Sequence, residues 1–124
     1  MPSDYVIDVD RRLVITSAWD VLTSAEAMKH QDRLLVDKAF KPDFSQLLDY
    51  TRVTLVDISA AMVKQLAARN VFLPQSRRAV VVGNSKVVFG MVRMFQTYRE
   101  ISGGPEQMRI FEDRDEALQW LLNP

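Results

Sequence analysis

The stretch RRAVVVG, residues 77–83, limits the possible folds more than any other part of the chain. A strand with one solvated face alternates apolar and polar residues, whereas here Ala79, Val80, Val81 and Val82 follow one another unbroken. Such a run calls for cover on both faces, as in the interior of a parallel sheet. Parallel neighbours in turn need crossover segments of a dozen or more residues, usually helices.

The rest of the chain supplies them. Residues 4–9 and 12–18 read as two strands separated by DRR, short enough for a tight antiparallel hairpin. Thr23-x-x-Glu26 has the form of a capping box and opens a helix in which Ala27, Leu34 and Leu35 share a face. Pro42 forbids its continuation. A strand at 45–50 follows, then the strand-like VTLVD at 53–57, then a helix over 59–71 with Met62, Val63, Leu66 and Ala67 at helical spacing. The longest helix spans 85–101. At 100° per residue, Val87, Val88, Met91, Met94, Phe95, Tyr98 and Ile101 form the stripe expected to pack on the sheet. GGP at 103–105 stops it, QMRIF at 107–111 is a fifth strand, and Asp113-x-x-Glu116 begins a last helix. The order β β α β α β α β α predicts one domain over 1–124. Its fold is an α/β sandwich of two or three layers, with five strands in a mostly parallel mixed sheet and about four helices.

Composition narrows the function. Sixteen basic and sixteen acidic residues cancel, so no general field draws the chain to nucleic acid or an anionic membrane. The absence of cysteine removes disulfides, thiolate metal sites and cysteine nucleophiles. The single histidine, His30, lies on the flank of its helix and reads as a surface residue without a proton-transfer partner. MPSDYVIDVDRR lacks the apolar core of a signal peptide, and no run approaches the ~20 apolar residues of a membrane span, which predicts a soluble cytoplasmic protein, not an integral membrane one.

In parallel sheets ligands gather beyond the carboxyl ends of the strands. That rule selects Gly83, Asn84 and Ser85 as a candidate anion-binding turn at a helix start. It also selects Asp20, Asp49, Asp57 and Asp113, whose spacing follows no metal-loop pattern and suits caps and turns, so neither a metal nor a cofactor is expected. Arg77 and Arg78 begin a strand and should lie at the opposite edge. Ser59 fits an N-cap with Ile58 and Val63 as a hydrophobic staple, and together with Asp57 it marks a candidate phospho-acceptor. Phe89 falls outside the inward stripe, near Arg93, with Val92 between the two faces; these three make a candidate ligand or partner surface.

The run LLDYTRVTLVDISAAMVKQL is similar to the segment of STAS domains in which a strand, an aspartate and a phosphorylatable serine precede a helix. Asp57 and Ser59 match that motif, while Ile58 and Ala60 replace its first serine and its glycine. Over nearly the whole chain, FKPDFSQLLDYTRVT, RRAVVVG, FGMVRMFQTY and IFEDRDEALQWL resemble the SpoIIAA-like family of small bacterial proteins, also described as STAS/SEC14-like. The resemblance implies a SpoIIAA-like α/β fold with no established catalytic activity or cofactor. Two function classes follow. One is a noncatalytic regulatory or protein-interaction domain with a protein partner or a second copy of itself. The other is a carrier of an apolar small molecule or lipid in a cavity lined by the methionine-rich long helix. An enzyme ranks last, since no nucleophile visibly meets a base.

Overall fold

The computed structural model describes residues 3–104 and 106–123, so Pro105 of the GGP stop lies outside the described residues, as do Met1, Pro2 and Pro124. Five strands, β1 (Ser3–Asp8), β2 (Leu13–Thr23), β3 (Ser45–Asp57), β4 (Arg77–Val81) and β5 (Gln107–Phe111), form one sheet in sequential order. Four helices accompany them: α1 (Ser24–Val36), α2 (Ala60–Ala67), α3 (Lys86–Ile101) and α4 (Arg114–Leu122). β1 pairs antiparallel with β2, and all other neighbours are parallel, as the crossovers demand. Because strand order advances in one direction and crossovers keep one hand, α1, α2 and α3 lie on the same face.

The other face is left to α4. Side chains alternate along each strand. Ala79 and Val81 therefore join Leu13, Leu47, Ala117 and Leu121 beneath α4, while Val80 and Val82 join Ala18, Leu48, Val88 and Val92 beneath α3. The unbroken valine run is thus divided between two apolar layers, and the sandwich has three. A third cluster, Val14, Leu34, Phe40, Phe44, Val71 and Phe72, closes the end nearest α1.

Strand ends depart from the expectation. The segments at 45–50 and 53–57 are one strand, and β2 runs on to Thr23, which also caps α1 by accepting a hydrogen bond from the Glu26 amide at 3.2 Å. The Glu26 carboxylate accepts from the Ser3 hydroxyl at 3.0 Å, tying α1 to β1. β2 and β3 pair as far as Thr23 and Asp57, whereas β4 reaches only Asp49. A two-stranded ribbon therefore projects beyond the sheet, with register shifts at Ser17/Trp19 and Asp20/Val21 and a left-handed Asp20 at φ 57°. Its polar residues Thr51, Arg52 and Thr54 are exposed, which broke the apolar pattern in sequence.

The inward stripe of α3 is also rotated from the expected one. Val88, Val92 and Arg99 are its buried residues, while Val87 and Ile101 stand 63% and 75% exposed. An arginine at a core position defeats a count of apolar residues. Val92, at 3% exposure, therefore drops out of the expected partner surface, leaving Phe89, 46% exposed, and Arg93 one turn on.

Ser59 caps α2, its hydroxyl accepting from the Met62 amide at 3.2 Å, and Val63 is buried. Ser59→Ala should lower stability by about 1 kcal/mol in denaturant melts. Phe89→Ala should stay within about 0.5 kcal/mol of the parent, as exposed positions do, while Val92→Ala should lose about 2 kcal/mol. Equal losses at the two positions would contradict this placement of α3.

Candidate functional site

Between the sheet and the helices α1–α3 the packing leaves a cavity of about 680 Å³ of atom-free space, its open mouth included. The strands supply its floor by the period of two: Gln46, Leu48 and Tyr50 of β3, Arg78 and Val80 of β4, and Met108 of β5. Leu34 of α1, Leu66 of α2, and Met91, Val92 and Phe95 of α3 contribute most of the apolar walls, with Phe72 at one end. His30 and Gln31 of α1 complete the polar part.

The hydrogen bonds around Gln46 fix the state of His30. A guanidinium only donates, so Arg78 Nε at 3.1 Å must face Gln46 Oε1, which turns Gln46 Nε2 toward Thr16 Oγ1 at 3.0 Å and His30 Nε2 at 3.3 Å. Gln46 Nε2 donates to the Thr16 oxygen, so the Thr16 hydroxyl is free to donate to His30 Nε2, 3.0 Å away. His30 Nε2 is then an acceptor and the proton of the neutral ring sits on Nδ1. Electrostatics agree. Burial, reinforced by the positive charges of Arg78 and Arg33, pushes the His30 pKa down to about 4.

Arg78 is the cation on this floor, only 8% exposed. Its Nη1 donates to Glu106 at 3.0 Å, and its guanidinium lies 4.9 Å from the Phe72 ring centre and 5.5 Å from that of Phe95. Glu106 also receives Arg99 Nη2. Burial by itself would push the Glu106 carboxyl up, but the two guanidinium groups outweigh it and hold it below the usual range. Burial draws Arg78 below its ordinary value, with Glu106 opposing, and pushes the Tyr50 phenol up. Arg99 Nη1 donates to the carbonyls of Ala67 at 2.8 Å and Arg69 at 3.0 Å, satisfying orphan acceptors at the end of α2. Gly104 leaves the room this requires, since a Cβ there would stand 2.6 Å from the Arg99 guanidinium carbon.

These groups were mostly missed by the sequence reading. His30, expected on the helix surface, turns inward to the buried pair Thr16 and Gln46. Arg78, expected at the far edge, lines the cavity because its side chain points to the helix-covered face and the hollow lies over the sheet, not beyond the strand ends. A hydroxyl does meet the histidine, Thr16 Oγ1 and His30 Nε2 being 3.0 Å apart. Thr16, however, is 1% exposed and outside the cavity lining, and a histidine with a pKa near 4 is a weak base at neutral pH, so the pair is suited to holding the floor together and not to attack on a substrate. The signal was present in the pattern: Thr16, Gln46 and Arg78 are polar residues at inward strand positions, where each needs a partner.

The residues at the strand ends have local partners. Gly83 takes φ 61° in the turn before α3, with Asn84 exposed, and the Ser85 hydroxyl accepts from the Val88 amide at 3.2 Å, occupying one of the N–H groups an anion would use. Asp49 accepts from Thr51 and from Arg114 at 2.7 Å; burial would raise its carboxyl, yet these donors hold it low. Asp113 caps α4 through the Glu116 amide at 3.1 Å. Asp57 is exposed at the last pairing position of β3. Among the described residues no three His, Cys, Asp or Glu side chains gather as a metal site, and no helix is long and apolar enough to cross a membrane.

The depressed His30 pKa has a definite consequence for stability. Between about 4 and 6.5 the unfolded chain binds the proton that the folded chain refuses, so this contribution is complete above pH 6.5 and is lost as pH falls toward 4. The loss should reach at most about 3 kcal/mol and be reduced in His30→Gln. Nitrogen-15 NMR of the ring should show Nδ1 protonated and a midpoint near 4; a midpoint near 6.5 would contradict the buried network.

No protein-family model matches the chain, and no curated protein matches it. Among solved structures it is similar to an uncharacterized protein from the DUF3478 family with a SpoIIAA-like fold from Shewanella loihica PV-4, at 19% identity. The match covers 96% of this chain and 93% of that one, with a TM-score of 0.58. Element order, sheet topology and this likeness agree with the resemblance seen in the sequence: the chain has a SpoIIAA-like α/β fold.

Proposed function

We propose that this domain is a noncatalytic binding module that takes one small, mainly apolar molecule into the cavity between the sheet and α1–α3. The observation that carries the reading is the cavity itself, in which a largely apolar wall surrounds a few convergent polar groups, the usual make-up of a small-molecule site. Two lining methionines, Met91 and Met108, suit a ligand of irregular shape, because their unbranched side chains adapt at low energetic cost. Of the two roles implied by the family resemblance, the ligand carrier is thus favoured over a domain that acts only through its surface. A protein contact through exposed Phe89 and Arg93 is the second reading, supported by the position of both on the outer side of α3.

Native mass spectrometry of protein purified from its own cells should find a retained molecule at one per chain. Met91→Trp, which places a large ring on the cavity wall, should reduce that occupancy while the fold persists in circular dichroism. Protein that is ligand-free under all growth conditions, and whose melting temperature no apolar compound raises, would count against the carrier and leave the surface reading.

A further inference from the structure

The charge arrangement on the cavity floor says more about the ligand than the apolar walls do. Two buried guanidinium groups, Arg78 and Arg99, share one carboxylate, Glu106. The hydrogen-bond chain through Gln46 and Thr16 keeps His30 neutral, so it adds no charge of either sign. Arg99 turns part of the excess toward the negative end of α2 through the Ala67 and Arg69 carbonyls. What is left is divided between Arg99, whose Nε is buried without a partner among the described residues, and Arg78, whose Nε and Nη1 are engaged and which alone of the two lines the cavity. Arg78 is more than nine-tenths buried, lines the cavity, and is held between two aromatic rings. On the same lining, Gln31 has a buried Oε1 with no partner.

Resting on the cavity reading above, we propose that the ligand is an apolar chain or ring bearing a single carboxylate, and that Arg78 recognises that group. A buried cation in excess favours an anion, and with Nε and Nη1 already donating to Gln46 and Glu106, a carboxylate would be held through Nη2. Only the Gln31 Nε2 hydrogens could donate to such a head group, because the unpartnered Oε1 is an acceptor like the carboxylate itself. An amine would meet Arg78 as a like charge, an alcohol would leave the excess unmatched, and a phosphate dianion would exceed it.

Calorimetric titration of the intact protein with octanoate, octan-1-ol and octylamine tests the assignment without any variant. Octanoate should bind one per chain and at least tenfold tighter than octan-1-ol, with octylamine weakest. Binding of octan-1-ol as tight as or tighter than octanoate would overturn the carboxylate assignment and leave the apolar cavity reading intact. Failure of all three to bind would overturn both. Arg78→Gln, if its melting curve shows a folded protein, should weaken octanoate at least tenfold and leave octan-1-ol unchanged; equal weakening of both would assign Arg78 to the frame of the cavity and refute its role in recognition.

Discussion

Arg78 is a charge on the covered face of a parallel sheet, and much of the surrounding structure serves to hold it there. An unpaired buried guanidinium would be costly, so several neighbours on that face contribute to it: Gln46 from β3, Glu106 from the segment before β5, and the rings of Phe72 and Phe95. Glu106 in turn joins it to Arg99, and Arg99 closes the end of α2. One charge cluster therefore ties together two strands, two helices and the loop that follows α3. Removal of a single partner would leave the others buried and unmatched.

The same cluster explains why the core has a hollow where it does. The apolar clusters are dense beneath α4 and near α1, but between α1, α2 and α3 the inward strand positions carry Thr16, Gln46 and Arg78. Polar side chains of fixed geometry cannot interdigitate as freely as Leu or Val, since each must keep its hydrogen bonds. The space above them is left to Met91, Phe95 and Met108, and it stays partly open. Packing and polarity thus converge on one region, which makes it the natural place for a ligand.

His30 shows how far a single residue's chemistry depends on neighbours distant in sequence. On its own helix it is a flank residue beside Lys29 and Gln31. In the fold it meets Thr16 of β2 and Gln46 of β3, and through Gln46 it feels Arg78 of β4. A histidine that would titrate near neutrality is held neutral well below it.

The sequence by itself determined the order of elements, the antiparallel first strand, the parallel remainder, and the caps at Thr23, Ser59 and Asp113. These follow from local rules, namely periodicity, capping chemistry and the need of a parallel strand for cover. Tertiary structure alone decided which face of α3 is buried, that 45–57 is a single strand, and that His30 and Arg78 share a cavity. Each of these depends on a partner brought from elsewhere in the chain: Glu106 and the end of α2 for Arg99, β2 for the ribbon, Gln46 for the polar floor. The polar residues Thr16, Gln46 and Arg78 stand out at inward strand positions, but which distant groups satisfy them leaves no periodic trace in a sequence, and so the fold was legible there while the site was only hinted at.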